Sequence, residues 1–229
     1  MNDKTTLIIV RHCESTGNVE RIFCGLTDAG VTENGVRQLD FLAERMRCQK
    51  LDAIYTSPLI RAKKTAQAVN RHHGLPVYEE DGLKEINGGC WEGEVWESLP
   101  QKFPIDAYNW NLSPKDFAPK DGESMADCYA RVWRSARKIA RRHQGGMVCA
   151  VSHGCAIRNL LCRAEFGDIS RLLEVEWCDN TAVSVIEFDE NFRPSVVLKN
   201  DSSHLTDDYS TIKKQNWWKK ENIENLVFE

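Results

Sequence analysis

Two histidines in this chain stand where an apolar run gives out. Leu7-Ile8-Ile9-Val10 is followed by Arg11-His12, and Met147-Val148-Cys149-Ala150-Val151-Ser152 by His153-Gly154. A third run, Leu51-Asp52-Ala53-Ile54-Tyr55-Thr56, leads into Ser57-Pro58 and then Arg61. Singly, each polar residue reads as a satisfied core group or a solvated surface charge; the recurrence argues against that. Two imidazoles, two guanidiniums and a helix N-terminus together suit a dianion, because arginine binds phosphate oxygens bidentately and helix N-termini attract anions. If a phosphoryl group is to leave an alkoxide, the leaving oxygen must gain a proton. Glu85, in a glycine-rich stretch, is the best-placed acid on sequence.

The elements that must position these residues follow from periodicity. Ile8, Ile9 and Val10 are β-branched, so the first run reads as a buried strand over about 6–11. A parallel strand delivers its C-terminal end to the ligand crevice of an α/β protein. A loop runs from Cys13 to Gly30, and Thr32 can cap a helix over about 33–48, with Val36, Leu39, Leu42, Ala43 and Met46 at helical spacing. A strand at about 52–56 leads into a helix opened by Ser57-Pro58 and running to about His73; Val77-Tyr78 is a short third strand. This β-α-β-α-β order predicts an α/β three-layer sandwich, with a mostly parallel central sheet and helices on both faces.

Residues 82–121 break the rhythm with four glycines, four prolines and Trp91, Trp96 and Trp110. They are expected to form an irregular lid insertion with a short helix near 95–101, Trp91 and Trp96 serving mainly as packing. A long helix over about 123–143 follows, with Ala126, Tyr129, Val132, Trp133, Ala136 and Ile139 on one face. A strand at 147–152, a helix at about 154–165 and strands near 181–188 and 194–199 complete the expected sheet. The tail, about 206–229, is polar apart from Trp217-Trp218 and Leu226-Val227-Phe228. The whole chain, 1–229, is expected to be one domain.

Composition narrows the function classes. A net charge of -4 with no basic stripe points away from nucleic acid. No apolar run approaches membrane-spanning length, and no signal peptide is expected before the first strand. Nine scattered cysteines, without a C-x-x-C pair or zinc-type spacing, read as free thiols in a reducing cytoplasm.

The motifs carry a resemblance. Arg11-His12-Cys13-Glu14-Ser15, with Asn18, resembles the Arg-His-Gly-Glu-(Ser/Thr) motif of the histidine phosphatase superfamily, also called the phosphoglycerate mutase-like family. Ser57-Pro58-Leu59-Ile60-Arg61-Ala62 is similar to its Ser-Pro-x-x-Arg-(Ala/Ser) motif, and Leu83-Lys84-Glu85 with Gly89-Cys90-Trp91-Glu92-Gly93 to its Leu-x-Glu and Gly-x-Trp-Glu-Gly segments. Gly25, Asp28, Thr32 and Gly35 resemble its following loop and helix start, and Gly122-Glu123-Ser124 and Val151-Ser152-His153-Gly154 two further motifs. The ordered set spans roughly residues 6–200.

The resemblance implies that His12 is the nucleophile that becomes phosphohistidine. Arg11, Arg61 and His153 would hold the phosphoryl oxygens, and Asn18 would reach phosphate or substrate. Glu85 would be general acid, then base for water. Ser57 belongs to the phosphate-binding helix start. No metal and no cofactor are implied, and the expected partner is a small phosphorylated substrate. Nucleic acid and membrane are not expected partners, and a homodimer is one of the assemblies the sequence allows.

Three rivals are weighed against a phosphatase. A sugar-phosphate mutase must protect its phosphohistidine from water, and the compact insertion looks more like the phosphatases. An inactive phospho-ligand module would be expected to lose His12 or Glu85. A metal hydrolase using His12, His153 and Cys13 is opposed by Arg11 and Arg61, which would repel a cation. One departure stands out: Cys13 occupies a position where the family usually has glycine. If that position needs a positive φ, a Cβ costs about 1 kcal/mol or more. Beside two arginines, the thiol is expected to have a lowered pKa and to be open to oxidation.

Overall fold

The computed structural model describes residues 4–214. Its elements are β1 (Thr5–Arg11), α1 (Thr16–Val19), α2 (Glu33–Met46), β2 (Ala53–Thr56), α3 (Ile60–Val69), β3 (Val77–Glu79), α4 (Leu99–Lys102), α5 (Pro104–Leu112), α6 (Met125–Arg142), β4 (Met147–Ser152), α7 (Gly154–Phe166), β5 (Val183–Phe188) and β6 (Pro194–Asp201). One six-stranded sheet has the order β3-β2-β4-β1-β5-β6. Strands β3, β2, β4 and β1 are mutually parallel, while β5 runs antiparallel to β1 and β6 to β5.

Successive side chains of a strand point to opposite faces, so a strand covered on both sides reads as a continuous apolar run. In β1, Leu7 and Ile9 pack with Val132, Ile139, Leu160 and Leu161 of α6 and α7. Ile8 and Val10 pack on the other face with Leu42, Met46, Ala62 and Ala66 of α2 and α3. The three expected layers are therefore present. Thr32 caps α2 as expected, its hydroxyl accepting from Gly35 N at 2.9 Å. Val36 is not part of that helix's buried face; it is 51% exposed.

The start of α3 corrects the sequence reading. Ser57-Pro58 does not open the helix, which begins three residues after Ser57 at Ile60. The amide of Ile60 instead donates to the Asp28 carboxylate, at 2.8 Å, so the cap comes from the loop after β1.

The insertion at 82–121 is more helical than expected, since α4 and α5 follow a single turn at Trp96–Ser98. It is held by an aromatic cluster. Trp91 is buried, with ring-centroid distances of 5.5 Å to Phe23 and 4.9 Å to Phe117 in edge-to-face geometry. Trp91 is packing, as expected. Loop 13–30 holds the short α1, which periodicity did not reveal. Trp217-Trp218 and Leu226-Val227-Phe228 lie outside the described residues. Among those residues, no helix is long and apolar enough to cross a membrane.

Candidate active site

Strand register brings the two histidines together. Arg11 lies opposite Ser152 in the β1–β4 ladder, so His12 and His153 leave the sheet one residue later, side by side. The amide of His12 extends the ladder by donating to Ser152 O at 2.9 Å. The imidazole centroids are 5.0 Å apart. Thr56 lies opposite Val151, which places Ser57 on the next strand level with Ser152, one residue before His153. Its amide donates to Val151 O at 3.0 Å.

His12 is 4% exposed and its environment sets its chemistry. Burial, followed by the charges of Arg61 and Arg11, holds its pKa well below the usual 6.5, so the ring is neutral near pH 7. Nδ1 lies 2.7 Å from Cys13 O, an acceptor, so Nδ1 carries the hydrogen and Nε2 the lone pair. His153 is also buried and neutral, for the same first cause, with Arg61 next. Its Nε2 is 2.8 Å from Ser57 Oγ. The Ser57 side chain thus holds the second imidazole, a use its place in a helix-start motif did not suggest.

Arg11 donates through Nη1 to Cys178 O. Arg61, 1% exposed, donates to Thr27 O, Cys24 O and Gly25 O at 2.8, 3.1 and 2.9 Å. Those carbonyls fix the guanidinium and shape the loop around it. Arg11 Nε and His153 Nδ1 are buried polar atoms with no protein partner among the described residues. Asn18 Oδ1 accepts from Ser15 N and Oγ and from Asn180 Nδ2, which makes Nδ2 the donor end of that amide.

Glu85 reaches the same place from the insertion side. Its Oε1 accepts from the amides of Ile86 and Ala156, and its Oε2 from Cys155, at 2.9–3.0 Å. The carboxylate therefore sits on the N-terminus of α7, the helix that His153 precedes. Arg11, His12, Asn18, Arg61 and Glu85 line one cavity; His153 and Ser57, both fully buried, are not among its lining residues. Gly154 also lines it, and a Cβ there would meet Arg11 Nε and Trp177 at 3.4 Å. No group of three His, Cys, Asp or Glu side chains among the described residues could hold a metal ion.

Much of the rest of the wall is aromatic, with Phe23, Trp96, Trp110 and Trp177. Trp177 and the neighbouring Asn180 were missed in the sequence. Asn180 Nδ2 donates to His12 O at 2.9 Å. The available signal was Asp179-Asn180-Thr181, a polar cluster just before a strand; because β5 is antiparallel to β1, its start lies where β1 ends.

Cys13 behaves unlike the sequence expectation. It is not among the residues with positive φ. Its side chain turns away from the cavity and packs with Leu39 and Ala68, on α2 and α3. Burial pushes the thiol up to about 11, although the Thr65 hydrogen bond and Arg61 act in the opposite direction. Proximity to arginine in sequence did not give access to its charge, because the Cβ direction decided the neighbours.

Comparison with known proteins agrees with this fold. The model of the histidine phosphatase superfamily (branch 1) matches residues 7–202. The chain is 36% identical over 204 residues to phosphoserine phosphatase 1 of Hydrogenobacter thermophilus, covering 89% of this chain and 95% of that protein. The structure of Bacillus stearothermophilus YhfR superposes with a TM-score of 0.83 at 33% identity, covering 87% of this chain and 98% of that one. A phosphoserine phosphatase from Entamoeba histolytica, solved with 3-phosphoglyceric acid, gives 0.77 at 28% identity, covering 88% and 100%.

Two outcomes are expected. Iodoacetamide applied to the native protein labels Cys48, which is exposed, and spares Cys13, as read by peptide mass spectrometry; labelled Cys13 would refute its burial. Because His12 and His153 are held neutral, the unfolded chain binds more protons than the fold below about pH 6.5. The unfolding free energy then falls as the pH drops through that range. In His12→Ala the fall is shallower, by up to about 1.4 kcal/mol per pH unit; denaturant titrations at several pH values measure it.

Proposed function

The chain belongs to the histidine phosphatase superfamily, and on that premise we propose that it hydrolyses a small phosphorylated metabolite through a phosphohistidine at His12. The observation that carries this reading is the His12 ring, neutral and buried, with Nδ1 committed to Cys13 O and its lone pair on Nε2. Such a nitrogen is a nucleophile without needing a base to remove a proton.

In the first step Nε2 attacks phosphorus and the ester P–O bond breaks. Arg11, Arg61 and His153 bind the non-bridging oxygens as charge shifts onto them. Arg11 Nε and His153 Nδ1, both without a protein partner among the described residues, support that role. A Ser57 hydroxyl donating to His153 Nε2 would leave the hydrogen on Nδ1, the atom without a protein partner among the described residues, as a donor for the phosphoryl group. Asn18 Nδ2 adds a further donor. Glu85 gives the leaving oxygen its proton; Oε2, which accepts one amide against two at Oε1, has the lone pair to carry it. In the second step Glu85 takes a proton from water, the water oxygen attacks phosphorus, and the P–N bond breaks. Inorganic phosphate leaves and neutral His12 returns. No step in this scheme calls on a metal. The name of the 36%-identical relative makes phosphoserine the first substrate to test.

His12→Ala should abolish turnover, and a rapid acid-sensitive label from substrate should map to His12; label confined to a serine or cysteine would overturn the mechanism. For Glu85→Gln, kcat/KM with an alkyl phosphate should fall by about 10²–10⁴-fold, the range of general acid catalysis. With p-nitrophenyl phosphate, whose leaving group needs little protonation, the loss should be much smaller. Equal losses would remove Glu85 from the acid role.

A further inference from the structure

The segment that carries Glu85 has almost no regular structure, only a single turn at Asp81–Leu83. Four consecutive carbonyls of this segment are nevertheless held, and by side chains. Arg131 of α6 donates through Nη1 to Gly82 O and Lys84 O, both at 3.0 Å, and through Nη2 to Glu85 O at 3.3 Å. Ser152 Oγ, at the end of β4, donates to Leu83 O at 2.7 Å.

Arg131 is itself held square. Its Nε and Nη2 donate to the two Glu123 oxygens at 2.7 and 2.6 Å. A guanidinium has five N–H donors in a planar fork, and here five hydrogen bonds to oxygen are made from that plane. Arg131 does not line the cavity, and its bonds reach the backbone of Glu85 rather than the carboxylate. The carboxylate is anchored from the opposite side, by the amides of Cys155 and Ala156. Glu85 is thus suspended between a fork on α6 and the first turn of α7.

We propose that Arg131, fixed by Glu123, is a positioning residue for the proton donor: it sets the backbone from which Glu85 meets the leaving oxygen. The inference rests on the reading of Glu85 as general acid. A displacement of about 1 Å in a catalytic group can cost about 10²-fold, so loss of the fork should appear in proton transfer and not in phosphate binding. Lysine cannot replace it, because one ammonium cannot serve three carbonyls and a bidentate carboxylate together.

The test compares kcat/KM across phosphate esters of graded leaving-group acidity, from p-nitrophenyl phosphate to an alkyl phosphate, for the parent, Arg131→Met, Arg131→Lys and Glu85→Gln. With both Arg131 variants the alkyl ester should slow by about 10²-fold and p-nitrophenyl phosphate far less, so that the dependence on leaving-group pKa steepens. Adding Arg131→Met to Glu85→Gln should cost little more on the alkyl ester, because both changes remove one function. A uniform loss across the esters, or no loss, overturns the positioning role. If Glu85→Gln is selective and the Arg131 variants are not, only this inference fails; if Glu85→Gln itself is not selective, the acid assignment fails and takes the inference with it. Should Arg131→Met not fold, Arg131→Lys, which keeps the charge beside Glu123, carries the same comparison.

Discussion

The pairing of β1 with β4 is the constraint on which the rest of the site depends. Val10 faces Val151 and Arg11 faces Ser152, and the next residue on each strand is a histidine. A slip of one residue turns every side chain of a strand to the opposite face. Here it would exchange Leu7 and Ile9 for Ile8 and Val10 between two differently shaped cores, and it would part the imidazoles. Cores pack at crystal-like density, so the register is enforced by volume as well as by the ladder. The chemistry inherits its alignment from apolar packing.

Electrostatics then divides the buried groups by what satisfies them. Arg61 donates to three backbone carbonyls and Arg11 to one, which steadies a buried guanidinium without an ion pair among the described residues and leaves donors such as Arg11 Nε for a ligand. Two buried carboxylates behind the site are the mirror case. Glu14 accepts from Thr32, Asn34 and Thr211, and Asp179 from Ser210 and from the amides of Asn180, Thr211 and Ile212. Satisfying a buried charge with neutral donors avoids a costly orphan. It also ties residues 210–212, beyond the stretch matched by the family, to the loop that follows His12.

The insertion is fixed to this frame by one more carboxylate. Glu92 accepts from the amides of Gly25, Leu26, Thr27 and Gly88. Arg61 takes the carbonyls of Cys24, Gly25 and Thr27 in the same loop. The loop is therefore gripped on both polarities of its backbone, and Gly25 has no room for a side chain: a Cβ would lie 2.1 Å from Ile86 O. Trp91 and Phe117 fill the space behind, which lets an irregular segment present Trp96 and Trp110 to the cavity.

The sequence alone determined the layers and most of the polar residues at the strand ends. β-branched runs announce buried strands, Thr32 announces its helix, Arg11 ends a strand, and His12, Ser57, Arg61 and His153 each follow one closely. These are properties of neighbours a few residues apart. What it could not state were contacts made across long separations without a periodic signature. Asp28 replaces Ser57 as the cap of α3, 32 residues away. Thr211 meets Glu14 across 197 positions. Cys13 follows His12 directly, yet its Cβ points into the α2–α3 contact, so burial and not arginine governs its thiol. Periodicity decides which face of an element is apolar; only the packed chain decides what a side chain leaving that element will touch, because that depends on the register and volume of elements distant in sequence.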